Sequence, residues 1–144
     1  MSCDIRLHSE VKINGVWRHH SEAKIRSNYP LFAKMANVRN DFGIEPISEP
    51  KGLPDDATDL TVLHSEVFFS SGHSHSWLSA MEIAELHHFI EKYDGLNERW
   101  FTPNFLHENF PYFMGNRFCS FVNFPEDWEG YGVEDVRYVF FFDN

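Results

Sequence analysis

Cysteine is nearly absent: Cys3 and Cys119 are the two present in 144 residues. Two thiols make neither a disulfide framework nor a cysteine-based zinc site, so free buried thiols in a reducing compartment are the simple reading. Long apolar runs are missing too. No stretch approaches the roughly 18 residues that cross a bilayer. The start, Met1-Ser2-Cys3-Asp4-Ile5-Arg6, alternates polar and apolar and does not read as a signal peptide. A cytoplasmic protein with no membrane partner is therefore expected. Positive charge is scarce, with 12 Lys and Arg against 22 Asp and Glu and a net charge of −10. That balance argues against general nucleic-acid binding, because neutralising phosphates takes Lys and Arg. Phosphate-binding glycine loops of the G-x-x-x-x-G-K and G-x-G-x-x-G kinds, the G-x-S-x-G elbow and H-E-x-x-H are all lacking.

What is present describes one globular domain over 1–144, long enough to bury a core. Hydrophobic residues make up 42% and charged residues 24%, which excludes a disordered chain. Fifteen Phe, five Tyr and four Trp predict an aromatic core, an aromatic-lined pocket, or both. Charge is uneven: residues 1–51 hold eight bases against six acids, whereas 52–144 hold four bases against sixteen acids. Nine histidines make the charge sensitive to pH below about 6.

Residues 4–13 alternate, with Ile5, Leu7, Val11 and Ile13 on one side, as in a half-buried strand. Asn14-Gly15 then joins it to a second strand at 16–20, the strongest short hairpin signal. Residues 29–38 predict a short helix, capped by Asn28, with Pro30 in its first turn. The loop 44–56 is stiffened by Pro46, Pro50 and Pro54. From Thr58 to about Phe69 a helix is expected, with a strand as the alternative. His73–Leu78 is extended, and Ser79 with Glu82 predicts a capping box opening a helix over 80–93. Its His87-His88 pair reads as a solvated face. Residues 99–131 yield no assignment. Val136–Phe142 is almost continuously apolar, as in a strand buried on both faces beside the hairpin. The expected fold is α+β: an antiparallel sheet containing the N-terminal β-hairpin and the buried C-terminal strand, with two or three packed helices. The tripeptide His-Ser-Glu recurs at 8–10, 20–22 and 64–66, which reads as coincidence.

Three polar segments carry candidate chemistry. In an extended strand His73 and His75 would face the same side about 6.5–7 Å apart, able to share a metal or form an acid–base pair. His64, His107 or Glu82 would have to complete a metal site. H-x-H alone is a weak motif, so no metal is assigned, and histidines bonded to backbone or water are the plainer reading. No other cofactor is expected. At the first helix, Arg26 offers a charged fork, Tyr29 a stacking face, and Asn28 and Asn40 amides for a base, with Arg39 alongside. Ordinary capping explains the same residues. The proline loop would form a pocket rim with Lys51, facing Ser74, Ser76 and Trp77, or be a rigid crossover. Cys119 reads as core.

These segments also carry a resemblance. Asn28 to Asn40 fits N-Y-x-L-F-A-x-x-A-x-V-R-N, and Pro46 to Pro54 fits P-I-x-x-P-[RK]-G-L-P. His73 to Leu78 fits H-S-x-S-W-L, and Val136 to Asn144 fits V-R-x-V-F-x-F-D-N. Together they resemble a group of small proteins encoded by bacteriophages and some bacteria, which has no settled activity. In that pattern the position of His75 varies, which favours His73 as the more important imidazole. The resemblance implies an accessory, anti-defence protein acting in the host cytoplasm. The leading expectation is a pocket for a small nucleotide-like ligand, such as a nucleotide immune signal, formed by the three polar segments. A hydrolase cleaving such a nucleotide through His73 is the second. An acidic inhibitor of a host defence protein, working through the acidic half, is the third. Self-association into a homo-oligomer stays open.

Overall fold

The computed structural model describes residues 2–93, 97–110, 126 and 132–144. Cys119 lies outside them, as does the His107 side chain. Two long strands, β1 (Asp4–Ile13) and β2 (Val16–Arg26), form the N-terminal hairpin. Asn14 and Gly15 both have positive φ, 52° and 75°, the backbone a two-residue turn needs to match strand twist. Helix α1 (Tyr29–Ala36) follows, then α2 (Asp59–Val67), β3 (Gly72–Ser79) and α3 (Ala80–Lys92). Two short helices, α4 (Asn97–Trp100) and α5 (Phe105–Asn109), precede the last strand, β4 (Val133–Asp143). The strands make one antiparallel sheet in the order β2-β1-β4-β3. The α+β expectation is met, with hairpin and C-terminal strand adjacent. The second strand runs to Arg26 rather than ending at 20, and the extended segment His73–Leu78 lies in the edge strand of this sheet.

The two faces of the sheet differ in chemistry. Ile5 and Leu7 of β1 lie opposite Phe142 and Phe140 of β4, and with Tyr138 and Leu78 they face the main core. Leu31, Phe32 and Met35 of α1 and Ile83, Leu86 and Ile90 of α3 pack onto that face. Phe101, Phe105 and Phe110 extend it as a ladder of edge-to-face rings. The capping box at Ser79 and Glu82 forms as the spacing predicts. His87, however, is buried rather than solvated. It stands four residues after Ile83 and three before Ile90, on the apolar face of α3, with its ring against Phe110.

The opposite face is polar. Side chains alternate along a strand, so Arg6, His8 and Glu10 form one row, opposite Phe141, Val139 and Arg137 of β4. Helix α2 lies along that row with its polar side inward: Thr61 reaches Glu10, His64 reaches His8, and the Phe68 ring sits 4.5 Å from the Arg6 guanidinium. The helical spacing 61, 64, 68 thereby meets the strand spacing 10, 8, 6. Leu60, Leu63 and Val67 are left exposed on the outer side of α2.

Candidate functional site

The densest grouping of reactive side chains on this polar face begins at a β-bulge. Ser9 pairs with Ser21, yet Glu10 pairs with His19, so His20 is an extra residue in β2. The bulge resets the alternation. Without it, Glu22 and His19 would point to opposite faces. With it, both stand beside His8, which is 1% exposed. His8 Nδ1 lies 2.9 Å from His19 Nε2, and His8 Nε2 lies 2.7 Å from His64 Nδ1. Glu22 Oε2 is 3.6 Å from His64 Nδ1. Two of the three His-Ser-Glu tripeptides thus pair antiparallel, with Ser9 against Ser21 and His8 against Glu22, while the third supplies His64. Their recurrence, read from the sequence as coincidence, is a spatial cluster.

Burial, reinforced by His64 and His19, holds the His8 imidazolium pKa down at about 4, so His8 is neutral near pH 7. Burial also lowers His64, against the opposing pull of Glu22. A neutral imidazole between two others has one proton for two contacts, so it donates to one neighbour and accepts from the other. Such a row can shuttle a proton or offer lone pairs to a metal. Among the described residues, His8, Glu22 and His64 place one ligand atom each within 4.8 Å of one another.

Next in the row is a buried ion pair. Glu10 accepts from the Thr58 backbone N–H at 3.0 Å, the Thr58 hydroxyl at 2.6 Å and the Thr61 hydroxyl at 2.8 Å. Its other oxygen takes Arg137 Nε at 2.8 Å. Burial alone would raise the Glu10 pKa, but these donors hold it below the usual carboxylate value. Arg137 also binds Asp56 at 2.8 Å and lies 3.9 Å from the centre of the Trp17 ring. Beside this pair a cleft of about 400 Å3 is lined by Trp17, Arg18, His19, Asp56, Ala57, Thr58, Asp59 and Leu60.

The residues singled out in the sequence take other positions. His73 and His75 face opposite sides of the sheet. Ser74 adopts φ 54° at a second bulge, and the ladder skips from His73 to Ser76. The His73 ring stacks on Phe142 and the His75 ring on Phe141, neighbours whose side chains alternate. The expected same-side pair is therefore not formed. His73 is held by the Ser74 hydroxyl and the Asn144 side chain. Asn28 is buried and caps α1, its amide oxygen accepting from Leu31 N–H and its NH2 donating to Trp100 O. Arg26 and Asn28 line a second cleft, of about 330 Å3, with Arg99 and Trp100. Tyr29 accepts from the Cys3 N–H through its hydroxyl and carries Arg39 over its ring at 5.3 Å. Asn40 binds Asn37 and both backbone groups of Ile44.

The proline loop does join two of the segments. Ile47 N–H donates to Lys34 O beside α1, Gly52 N–H to His75 O, and Lys51 N–H to the buried Ser76 hydroxyl. Lys51 Nζ lies 4.0 Å from the Trp77 ring centre and 2.5 Å from Glu82. These contacts tie a crossover to the edge strand and use the polar groups against one another. Sequence reasoning missed His8, His19 and Glu22, and considered His64 only as a partner for His73 and His75, because the tripeptide repeat that carries His8, Glu22 and His64 gains meaning only through register.

The chain matches no protein-family model, no curated protein and no solved structure. No helix among the described residues is long and apolar enough to cross a membrane.

Proposed function

We propose that the groove between β2 and α2 is a ligand site, and that its ligand is a small nucleotide-like molecule held by an accessory protein of phage type. The observation that carries this reading is the cleft of about 400 Å3 at Trp17, Arg18, His19 and Thr58. Its size falls within the roughly 300–1,000 Å3 of small-molecule sites. Trp17 offers an aromatic wall, Arg18 a charge for phosphate, and Asp59 an acceptor for a sugar hydroxyl or a base amino group. Asp56 adds little repulsion because Arg137 binds it. The resemblance to phage-encoded proteins suggests an immune-signal nucleotide, with sequestration as the role.

Hydrolysis of that ligand is the second reading, favoured by the neutral His8 between His19 and His64 next to the cleft. Three grouped imidazoles suit general acid–base work better than His73, whose ring is tied to Ser74 and Asn144. Incubation with mono-, di- and cyclic nucleotides, followed by denaturation and mass spectrometry, separates the two. A binder returns the ligand intact, and a hydrolase returns products. Binding in either case should raise the melting temperature and vanish in Trp17→Leu. A panel in which no nucleotide at millimolar concentration shifts the melting temperature would refute the reading.

A further inference from the structure

We propose that His8, Glu22 and His64 form a binding site for a divalent transition-metal ion of the zinc class. The three side chains come from β1, β2 and α2, and their ligand atoms lie within 4.8 Å of one another. His8 Nε2 and His64 Nδ1 are 2.7 Å apart, and Glu22 Oε2 is 3.6 Å from His64 Nδ1. The ligand set of two imidazoles and one carboxylate leaves a fourth tetrahedral position for water or a substrate oxygen. Glu22 is largely exposed, so that position opens toward solvent.

The surroundings supply what a metal-bound imidazole needs. His8 Nδ1 faces His19 Nε2 at 2.9 Å. A proton on Nδ1 donated to His19 fixes the tautomer whose Nε2 lone pair points at the site. His19 is thus a positioning residue. The fit asks the two outer ligands to adjust, Glu22 by turning its exposed side chain and His64 as follows. Two nitrogens on a tetrahedral ion stand about 3.3 Å apart, given metal–nitrogen distances of about 2.0–2.1 Å. His64 must therefore withdraw by roughly half an ångström. It sits on α2, whose outer side is exposed, whereas His8 is fixed in the middle of the sheet. A hydrogen-bonded histidine row alone would not need Glu22, an exposed side chain free to extend into water. Its approach to His64 is what converts a row into a three-ligand set. Two imidazoles select zinc, cobalt, nickel or copper over magnesium or calcium, which prefer all-oxygen sites.

The test needs no nucleotide, so its failure is separate from failure of the ligand reading. Tag-free protein, dialysed against chelator and then metal-free buffer, is titrated calorimetrically with Zn2+, and with Co2+ while its visible absorption is recorded. One ion per chain should bind, with a cobalt band typical of tetrahedral coordination, and Mg2+ should not compete. Glu22→Gln and His64→Leu, both at partly exposed positions, should each weaken Zn2+ binding by at least tenfold and abolish the cobalt band. His19→Phe should weaken it by about 10- to 100-fold, the range for an orienting partner. His73→Ala and His75→Ala should bind as the native chain does. Absence of one-to-one binding, or binding that survives Glu22→Gln and His64→Leu with the folded circular-dichroism spectrum retained, would overturn the proposal.

Discussion

Replacing Glu10 by Ala should be among the most damaging single changes to this fold. Glu10 is fully buried, and its two oxygens accept from Thr58, Thr61 and Arg137 at 2.6–3.0 Å. Truncation leaves the guanidinium of Arg137, a residue 5% exposed, with Asp56 as its remaining carboxylate. It also strips two threonine hydroxyls and one backbone N–H of their acceptor. Breaking a buried ion pair from one side costs about 3–5 kcal/mol. For a domain of this size each kcal/mol moves the melting temperature by about 2–4 °C, so a drop of roughly 6–20 °C is expected. Replacing both partners, as Glu10→Leu with Arg137→Met, should recover part of that loss, because the desolvation of two charges disappears with the pair while the Thr58 and Thr61 donors stay without their acceptor. Urea unfolding of the native chain, both single variants and the double variant forms the cycle. The acid limb gives a second check. The folded-state pKa of Glu10 lies below its unfolded value near 4.5, so its stabilisation is present above that pH and lost as pH falls through the folded value. Removing Glu10 should flatten the decline below about pH 4.5. A Glu10→Ala loss under about 1 kcal/mol, or a double variant as unstable as the summed singles, would refute the reasoning.

Gly15→Val should cost about 1–2 kcal/mol, since φ is 75° there and a β-branched residue resists the left-handed region; an unchanged urea midpoint would count against it. No atom crowds a Cβ at Gly15, so the loss would be conformational and not steric. His8 and His87 are both held at about 4 by burial, against 6.5 when unfolded, so the unfolded chain binds the extra protons. Stability should therefore fall as pH drops from about 6.5 toward 4, and His87→Leu should shallow that slope in urea titrations. Ser76→Ala would orphan the Lys51 N–H and cost about 1–3 kcal/mol. Limited proteolysis should then cut at Lys51 sooner than in the native chain, and equal rates would contradict the tethering role of Ser76.

Local order was legible because it is written in neighbouring residues. Alternation in Asp4–Ile13, the Asn14-Gly15 turn, the Ser79–Glu82 capping box and the apolar run before Asn144 each specify backbone geometry within a few positions. The interior place of β4 followed from hydrophobicity, since a strand apolar on both sides must lie inside a sheet, and its expected position beside the hairpin is met by its pairing with β1. The candidate site was not legible, for two reasons that share one cause. Side-chain direction in a strand has period two, so one inserted residue moves everything beyond it to the other face. The bulge at His20 brings His19 beside His8, and the bulge at Ser74 sends His73 and His75 to opposite faces. Neither shift leaves a mark in composition or spacing. Burial of His87, and the inward turn of His64 with Leu63 left outside, were likewise decided by which surface each helix met. The sequence by itself determined which segments are strands, turns and capped helices. Only the folded sheet decided which histidines meet, because that depends on register between segments up to 56 residues apart.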